Sequence, residues 1–357
     1  MFAVLLTEFV RRKAFLGVFV AAFLLPAQQT DAQQMFAWRL ASETGSLRLY
    51  RTALVAERPQ GAAEALAQID RRLGFVGRNG PKRYSLTPSF SLTPQLGYDR
   101  NFNGGLETET IRIGGEAWAV TPETRAKASF FAGAQLGVGQ RIIWHPGSAV
   151  SLQGSVTYRR ALDTGTDYRG GSLQACSENQ LGYLSALDIC LSRSLVYRDR
   201  STTRLSVASV GMSRIFVRDN ALSEATFNLA REFRPASKRN TASVQLRHLD
   251  RTYGAFSARM FIGERVQGQS LTTFSIQIEY GRFYSDRFYQ LGLSHQRETG
   301  GQLLGQRHHR QEFAITLTLP SVFGLKPSIG YRALRHDLSE FDARHATFAI
   351  ALPSYRF

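Results

Sequence analysis

Side chains that could form a hydrolytic site are few in this sequence. Ser294 and His295 are adjacent, and neighbours in a β-strand point to opposite faces, so the imidazole could not activate the hydroxyl. His336, Asp337 and Ser339 form a triad-like group in a predicted loop, where all three residue types are ordinary. The sequence therefore predicts no catalytic residues, and a hydrolase is kept only as an alternative.

The two cysteines, Cys176 and Cys190, are candidates for a disulfide rather than for a metal site. They are 14 positions apart and would pair in an oxidising compartment. Two thiols without nearby histidines are half of a zinc site. His308 and His309 lie in a basic segment, where solvated side chains are expected. No cofactor or metal is predicted.

Residues 1–32 have the features of a signal peptide. Three basic residues precede the apolar stretch 14–25, and cleavage is expected after Ala32. The rest of the chain would carry 41 basic and 26 acidic residues. Because an exported chain meets little nucleic acid, the basic excess favours outer-membrane lipids, lipopolysaccharide or acidic passengers as partners.

Residues 33–80 are predicted to form a helical hairpin and a linker. Leu47, Tyr50 and Leu54 share one helical face, and a second amphipathic segment follows and ends at Gly74. Two helices joined by a turn resemble one tetratricopeptide-type unit. One such unit cannot bury its apolar face alone, so we expect it to dock on another part of the protein.

From residue 81 onward the hydrophobic pattern alternates with a period of two, as in β-strands. In 271–280, for example, Phe274, Ile276 and Ile278 alternate with polar residues. Fourteen such segments are predicted, at 85–98, 108–119, 125–139, 149–159, 186–197, 203–217, 223–233, 241–249, 255–264, 271–282, 287–296, 311–319, 325–334 and 344–357.

These segments predict a transmembrane β-barrel over residues 81–357. A strand in a soluble protein has about five or six residues on average, and most of these segments are longer. About 9–11 residues are enough for a tilted strand to cross a bilayer. A closed sheet satisfies every backbone group in lipid, and bacterial barrels have even strand numbers. The fold class is thus an all-β barrel of about 14 antiparallel strands after a short helical hairpin. The segment 162–185, which holds Cys176, is predicted to be a long inner loop or plug.

Charged residues with the polar parity are candidates for the lumen wall. Basic residues outnumber acidic ones, and paired charges or an anion-favouring lumen would both explain them. The candidates are Arg112, Glu116, Arg159, Arg204, Arg247, Arg259, Glu279 and Arg332.

The last 33 residues resemble the C-terminal hairpin of the surface lipoprotein assembly modifier family. The resemblance rests on Pro327, Tyr331 and Arg332, then Ser339, Phe341, Asp342 and Arg344, and on the terminal Phe357. The family joins tetratricopeptide helices to a fourteen-stranded barrel. The resemblance implies an outer-membrane translocator that moves lipoproteins or other passenger proteins to the cell surface, with the helices in the periplasm. Alternatives are a porin, an exopolysaccharide export pore and a barrel hydrolase.

The chain ends in a strand interrupted by Pro353. Strict alternation would turn Ile350 and Leu352 into the lumen, so we predict a β-bulge at Pro353. Tyr355 and Phe357 resemble the signal read by the barrel-assembly machinery. With Pro88 and Pro94 in the first strand, Pro353 would weaken the seam between first and last strands, because each proline lacks a backbone donor.

Overall fold

The computed structural model describes residues 36–75, 83–103, 105–106, 108–113, 116–198, 201–303, 306–321, 325–337, 342–351 and 355–356. The predicted signal peptide (1–32) and Phe357 lie outside them. Among the described residues, no helix has the length and apolar character needed to span a membrane.

Three short helices precede the strands: α1 (Ala37–Glu43), α2 (Leu47–Glu57) and α3 (Ala62–Leu73). The Ser46 hydroxyl accepts a hydrogen bond from the Leu49 backbone and caps α2. Gly74 ends α3 in the left-handed conformation, with φ of 83°. The helices share a small core of Leu54, Ile69 and Leu73. The predicted hairpin is α2 and α3; α1 is an addition to it.

The strands form one large antiparallel sheet and one separate hairpin. In chain order they are β1 (Tyr84–Ser85), β2 (Ser89–Asp99), β3 (Thr110–Ile113), β4 (Glu116–Ala119), β5 (Ser129–His145), β6 (Ser148–Ala161), β7 (Asp167–Gln180), β8 (Ser185–Arg198), β9 (Ser201–Arg218), β10 (Ala221–Arg234), β11 (Ser237–Asp250), β12 (Gly254–Gly263), β13 (Leu271–Tyr284), β14 (Arg287–Leu303), β15 (Gln306–Thr318), β16 (Lys326–His336), β17 (Ala343–Ala351) and β18 (Tyr355–Arg356). In the large sheet, β5 to β17 follow one another in chain order, and β2 pairs with β5, β17 and β18.

The two faces of the sheet have different neighbours. The inner face is the one that the helices contact: Ile143 and Leu249 are fully buried there. The outer face carries large exposed apolar side chains such as Leu136, Leu173 and Phe227. The short turns at 146–147, 219–220 and 285–286 lie at the same edge as the helices, which we call the turn end. The opposite edge, which has the long connection 100–128 between β2 and β5 as well as short turns such as 235–236, is the loop end.

Two segments were misread, and the large sheet has sixteen strands among the described residues rather than about fourteen, because the two-residue strands β1 and β18 join it. Segment 108–119 is a separate hairpin of two four-residue strands, β3 and β4, which pair only with each other among the described residues. Segment 162–185 is mainly a strand: β7 pairs along its length with β6 and β8. Because β7 is rich in Gly, Ser and Ala, its sequence shows little apolar alternation.

The seam between the last and first strands is thin. Among the described residues, Ala349 pairs with Gly97, and Tyr355 and Arg356 pair with Leu92 and Ser91. Between these pairings the last strand advances six residues and β2 advances five. The predicted bulge at Pro353 falls on residues 352–354, which lie outside the described residues, and stays a prediction.

Candidate functional site

The helices are held at the turn end of the inner face by ion pairs with the sheet. One residue of α2, Arg48, lies 3.1 Å from Glu224 of β10. Arg251, after β11, lies 2.9 Å from Glu57 of α2. Two weaker pairs link α1 to the strands: Arg39 with Asp286 at 2.8 Å, and Glu43 with Lys326 at 3.8 Å.

Glu224 is the centre of the most buried of these contacts. Its side chain is 1% exposed, and it also accepts a hydrogen bond of 2.9 Å from Arg247 on the neighbouring strand. One carboxylate thus serves a wall arginine and a helix arginine. A buried carboxylate left alone would be very costly, so this arrangement fixes where α2 can sit.

Glu57 joins the helices to each other as well as to the sheet. Its two carboxylate oxygens accept from the backbone N–H groups of Ala37 and Trp38 at 3.0 and 3.2 Å. These are among the donors that a helix leaves unpaired at its first turn. The N-terminus of α1 is therefore capped by the last residue of α2.

Apolar and backbone contacts complete the seal between α3 and the sheet. Gly74 lies against Ile143, and its carbonyl accepts from Gly147 at 2.9 Å. Arg141 donates to the Arg72 carbonyl at 2.6 Å. The expectation that the helical hairpin must dock on something is confirmed by these contacts, and the docking surface is the inner face of the sheet.

A polar cavity of about 150 Å³ remains between the helices and the wall. Glu43 and Thr44 of the helical region line it on one side, and Arg247, Ser257 and Glu279 line it on the other. Glu279 accepts from Gln277 and Gln290 at 2.7 and 3.1 Å. No group of three His, Cys, Asp or Glu side chains that could hold a metal occurs within the described part of the chain.

At the loop end the inner face is organised around Arg159. Its guanidinium donates to Gln95 at 2.5 Å and lies 5.4 and 5.2 Å from the rings of Phe131 and Tyr168. It has no carboxylate partner among the described residues. These ring contacts leave the charge uncompensated while holding the side chain in place.

The chain between β2 and β5 turns back toward this same region. Phe102 is buried against Phe131, with ring centroids 5.7 Å apart. Arg198 of β8 donates to the carbonyls of Asn101 and Phe102. These contacts draw residues 101–102 against the inner face beside Arg159.

Five of the eight predicted lumen residues lie on the inner face: Arg159, Arg247, Arg259, Glu279 and Arg332. Arg332 is ion-paired with Glu312. Arg259, which pairs with Gln245 and Gln277 in the ladder, has no ion-pair partner among the described residues.

Three predicted lumen residues lie elsewhere. Arg112 and Glu116 belong to the β3–β4 hairpin rather than to the wall. Arg204 lies opposite Leu195 on the outer face. Its strand misled the prediction because β9 carries apolar residues on both faces, so alternation alone does not reveal its orientation.

The structure also places the other predicted residues. Cys176 and Cys190 face each other on β7 and β8 and form a disulfide. Pro88 lies between β1 and β2, and Pro94 lies opposite Ala134 of β5. A weakened seam and an assembly signal at Tyr355 and Phe357 stay predictions.

Sequence reasoning missed the residues that hold the helices. Glu224 begins a strand and was not singled out, and Arg48 and Glu57 had the appearance of solvated helix charges. One feature of the sequence could have indicated them. Arg48 and Glu57 lie on a short amphipathic helix that is not stable by itself, so its charged residues were candidates for contacts with the sheet. Their partners, however, are 176 and 194 positions away in the sequence.

No hydrolytic site is assembled from the predicted residues. Ser294 pairs with Gln277 of the inner face, and His295 stacks on Phe313 on the outer face, with centroids 4.3 Å apart. Ser339 lies outside the described residues. A different pair, Ser223 and His248, is joined by a 2.8 Å hydrogen bond on the outer face, and no acidic side chain contacts either one in the described part of the chain.

Comparisons with known proteins give structural neighbours only. No family model and no curated protein matches the sequence. Similar solved structures include OccAB4 of Acinetobacter baumannii (8% identity, TM-score 0.39, covering 78% of this chain and 99% of that one). Another is OccK2 (OpdF) of Pseudomonas aeruginosa, with 10% identity and a TM-score of 0.40. A third is a BenF-like porin of Pseudomonas fluorescens Pf-5, with 8% identity and a TM-score of 0.40. Each of these two matches covers 76% of this chain and 98% of the other. At this level of likeness nothing about their substrates transfers to this chain.

The prediction of a lipoprotein translocator is wrong. The neighbours reported above include a BenF-like porin, and none is described as a lipoprotein translocator. The helices that were expected to form a tetratricopeptide unit bind the inner face of the sheet through ion pairs with it. A helical surface used in this way is not free to recognise a passenger.

Proposed function

We propose that this chain is a porin-like channel of the Gram-negative outer membrane that passes small solutes and favours anions. In this proposal β2 and β5–β17 form a fourteen-stranded barrel, with β1 and β18 extending its first and last strands. The turn end with the helices faces the periplasm, because the long connection 100–128 between β2 and β5 lies at the opposite end, and the longer loops of outer-membrane barrels are extracellular. The helices narrow the periplasmic mouth.

The observation that carries the proposal is the contrast between the two faces. Outward-facing apolar side chains suit lipid, whereas the inner face is polar and contains two arginines, Arg159 and Arg259, without a carboxylate partner among the described residues. Several other inner arginines are already neutralised: Arg141, Arg239, Arg247 and Arg332 are ion-paired. Fixed positive charge in a narrow aqueous path raises the local concentration of anions.

Ion selectivity in planar bilayers tests this function. The full chain should conduct, and its reversal potential in a KCl gradient should show a preference for chloride. The double variant Arg159→Gln/Arg259→Gln should lower the chloride-to-potassium permeability ratio by about twofold, since only unscreened charges act on the path.

Arg332→Gln is the matched control, because Arg332 is already paired with Glu312. We expect it to change the ratio much less than the double variant does. A folded full-length chain that inserts into the bilayer without conducting, or equal selectivity in all three proteins, would refute the channel proposal.

A further inference from the structure

Four arginines lie on the outer face at the loop end, where apolar side chains would be expected. Arg160 of β6, Arg169 of β7, Arg193 of β8 and Arg204 of β9 all point away from the inner face. We call this set the arginine patch. On the turn-end halves of the same four strands, the arginines of the outer face are Arg214 and Arg218, both on β9.

The strand register makes the patch continuous. Arg169 lies directly opposite Tyr197 and diagonally from Arg160, whose own partner is Asp167. Arg204, opposite Leu195, is diagonal to both Tyr197 and Arg193. Diagonal neighbours are about 7–8 Å apart, within reach of long side chains.

The protein supplies little negative charge to this patch. Asp167 is bound by Arg169 at 3.0 Å and by the Tyr158 hydroxyl at 3.0 Å. In the described part of the chain, Arg160, Arg193 and Arg204 have no ion-pair partner. Like charges this close repel each other, so the arrangement calls for an anion from outside the chain.

The surroundings of Arg193 show where that anion must be. It lies between Leu191 and Leu195 on its strand and opposite Leu173, which is 63% exposed. A charge on a lipid-facing strand is costly unless it lies near an interface or has a partner. An anion that reaches Arg193 would therefore belong to a molecule whose apolar part contacts these leucines.

We propose that the arginine patch binds the phosphate groups of lipopolysaccharide. The inference rests on the proposed placement of the barrel in the outer membrane, where this phosphorylated glycolipid occupies the leaflet at the loop end. Its phosphates suit several guanidinium groups, which bind phosphate through paired N–H donors. Its acyl chains would contact Leu173, Leu191 and Leu195. Tyr158 and Tyr197 supply the amphipathic rings typical of membrane interfaces.

Binding of lipid A to the full, folded chain in phosphatidylcholine vesicles tests this site. The variant Arg193→Ser/Arg204→Ser should weaken binding of diphosphorylated lipid A about tenfold, as expected for charge-assisted phosphate contacts. The matched control Arg214→Ser/Arg218→Ser removes two arginines from the turn end of the same face and should change the affinity less than about twofold. Lipid A without phosphates should bind all three proteins equally weakly.

Folding is checked by heat-modifiable mobility on gels, and Arg193→Lys/Arg204→Lys should keep most of the affinity because it retains the charge. Equal affinity of the wild type and the serine variant would overturn the proposal, as would equal losses in the two serine variants or indifference to the phosphates. Conductance separates this site from the channel. We expect Arg193→Ser/Arg204→Ser to keep the wild-type reversal potential, and Arg159→Gln/Arg259→Gln to keep the wild-type affinity for lipid A.

Discussion

At the turn end of the inner face, Glu224 is 1% exposed between Arg48 and Arg247. At the loop end, Arg159 meets only the Gln95 amide and two aromatic rings. Both regions have arginine side chains on a polar wall. They differ in the group that binds the arginine, which is a carboxylate at the turn end and an amide with two aromatic rings at the loop end. Where carboxylates come from a second element, the charges hold the helices. Where no carboxylate is supplied, the charge is left for a solute.

The largest expected effect is at Glu224. Replacing it by alanine removes the buried carboxylate that Arg48 and Arg247 share at 3.1 and 2.9 Å, which should destabilise the docked state by about 3–5 kcal/mol. Urea titration with limited proteolysis of residues 36–75 would measure it. Glu279→Ala, at a carboxylate that is bound only by glutamines, is the control; equal losses would mean that the ion pairs do not hold the helices.

The orientation of the wall is tested by two neighbours in the middle of β10. Phe227 faces outward opposite Met212 and Val244, whereas Asn228 shares the inner face with Ser243. Phe227→Arg should cost about 2–4 kcal/mol near the bilayer midplane, and Asn228→Arg should fold normally. Heat-modifiable mobility reports the outcome, and identical behaviour of the two variants would contradict the assigned faces.

Arg159 should matter more for selectivity than for stability. Since it has a hydrogen bond and two ring contacts but no ion pair to lose, Arg159→Gln should lower the free energy of unfolding by about 1–2 kcal/mol. The same urea titration as for Glu224 gives a direct comparison. A loss as large as that of Glu224→Ala would show that the loop end is also held together by its charges.

The smallest effect is expected at the edge of the helical contact. Arg39 and Asp286 are 2.8 Å apart, but the Asp286 side chain is 70% exposed. Asp286→Asn should therefore cost about 0–1 kcal/mol, and less at high salt. Titration at two ionic strengths measures both, and a salt-independent loss above that range would place this pair with the buried contacts.

Much of the architecture could be read from the chain. Alternation predicted most strands, including β13 and β15, and helical spacing with Gly74 predicted α2 and α3. The predictions failed where local pattern is weak. β7 has too few apolar residues to alternate, the strand-like run 108–119 is divided into two short strands, and Leu205 and Val207 gave β9 an apolar inner face that turned Arg204 to the wrong side.

The sequence by itself determined that two helices lie between residues 47 and 73 and which residues of most strands share a face, because these depend on neighbours a few positions away. Only the tertiary structure decided that the helices lie against the inner face, that Arg204 joins Arg193 outside, and that Arg159 has no carboxylate partner among the described residues. The helical contacts depend on charges more than 100 positions apart, as with Arg48 and Glu224, and the other two depend on strand pairing. Ion pairing between such distant residues is set by the register of the sheet, which no short stretch of sequence specifies.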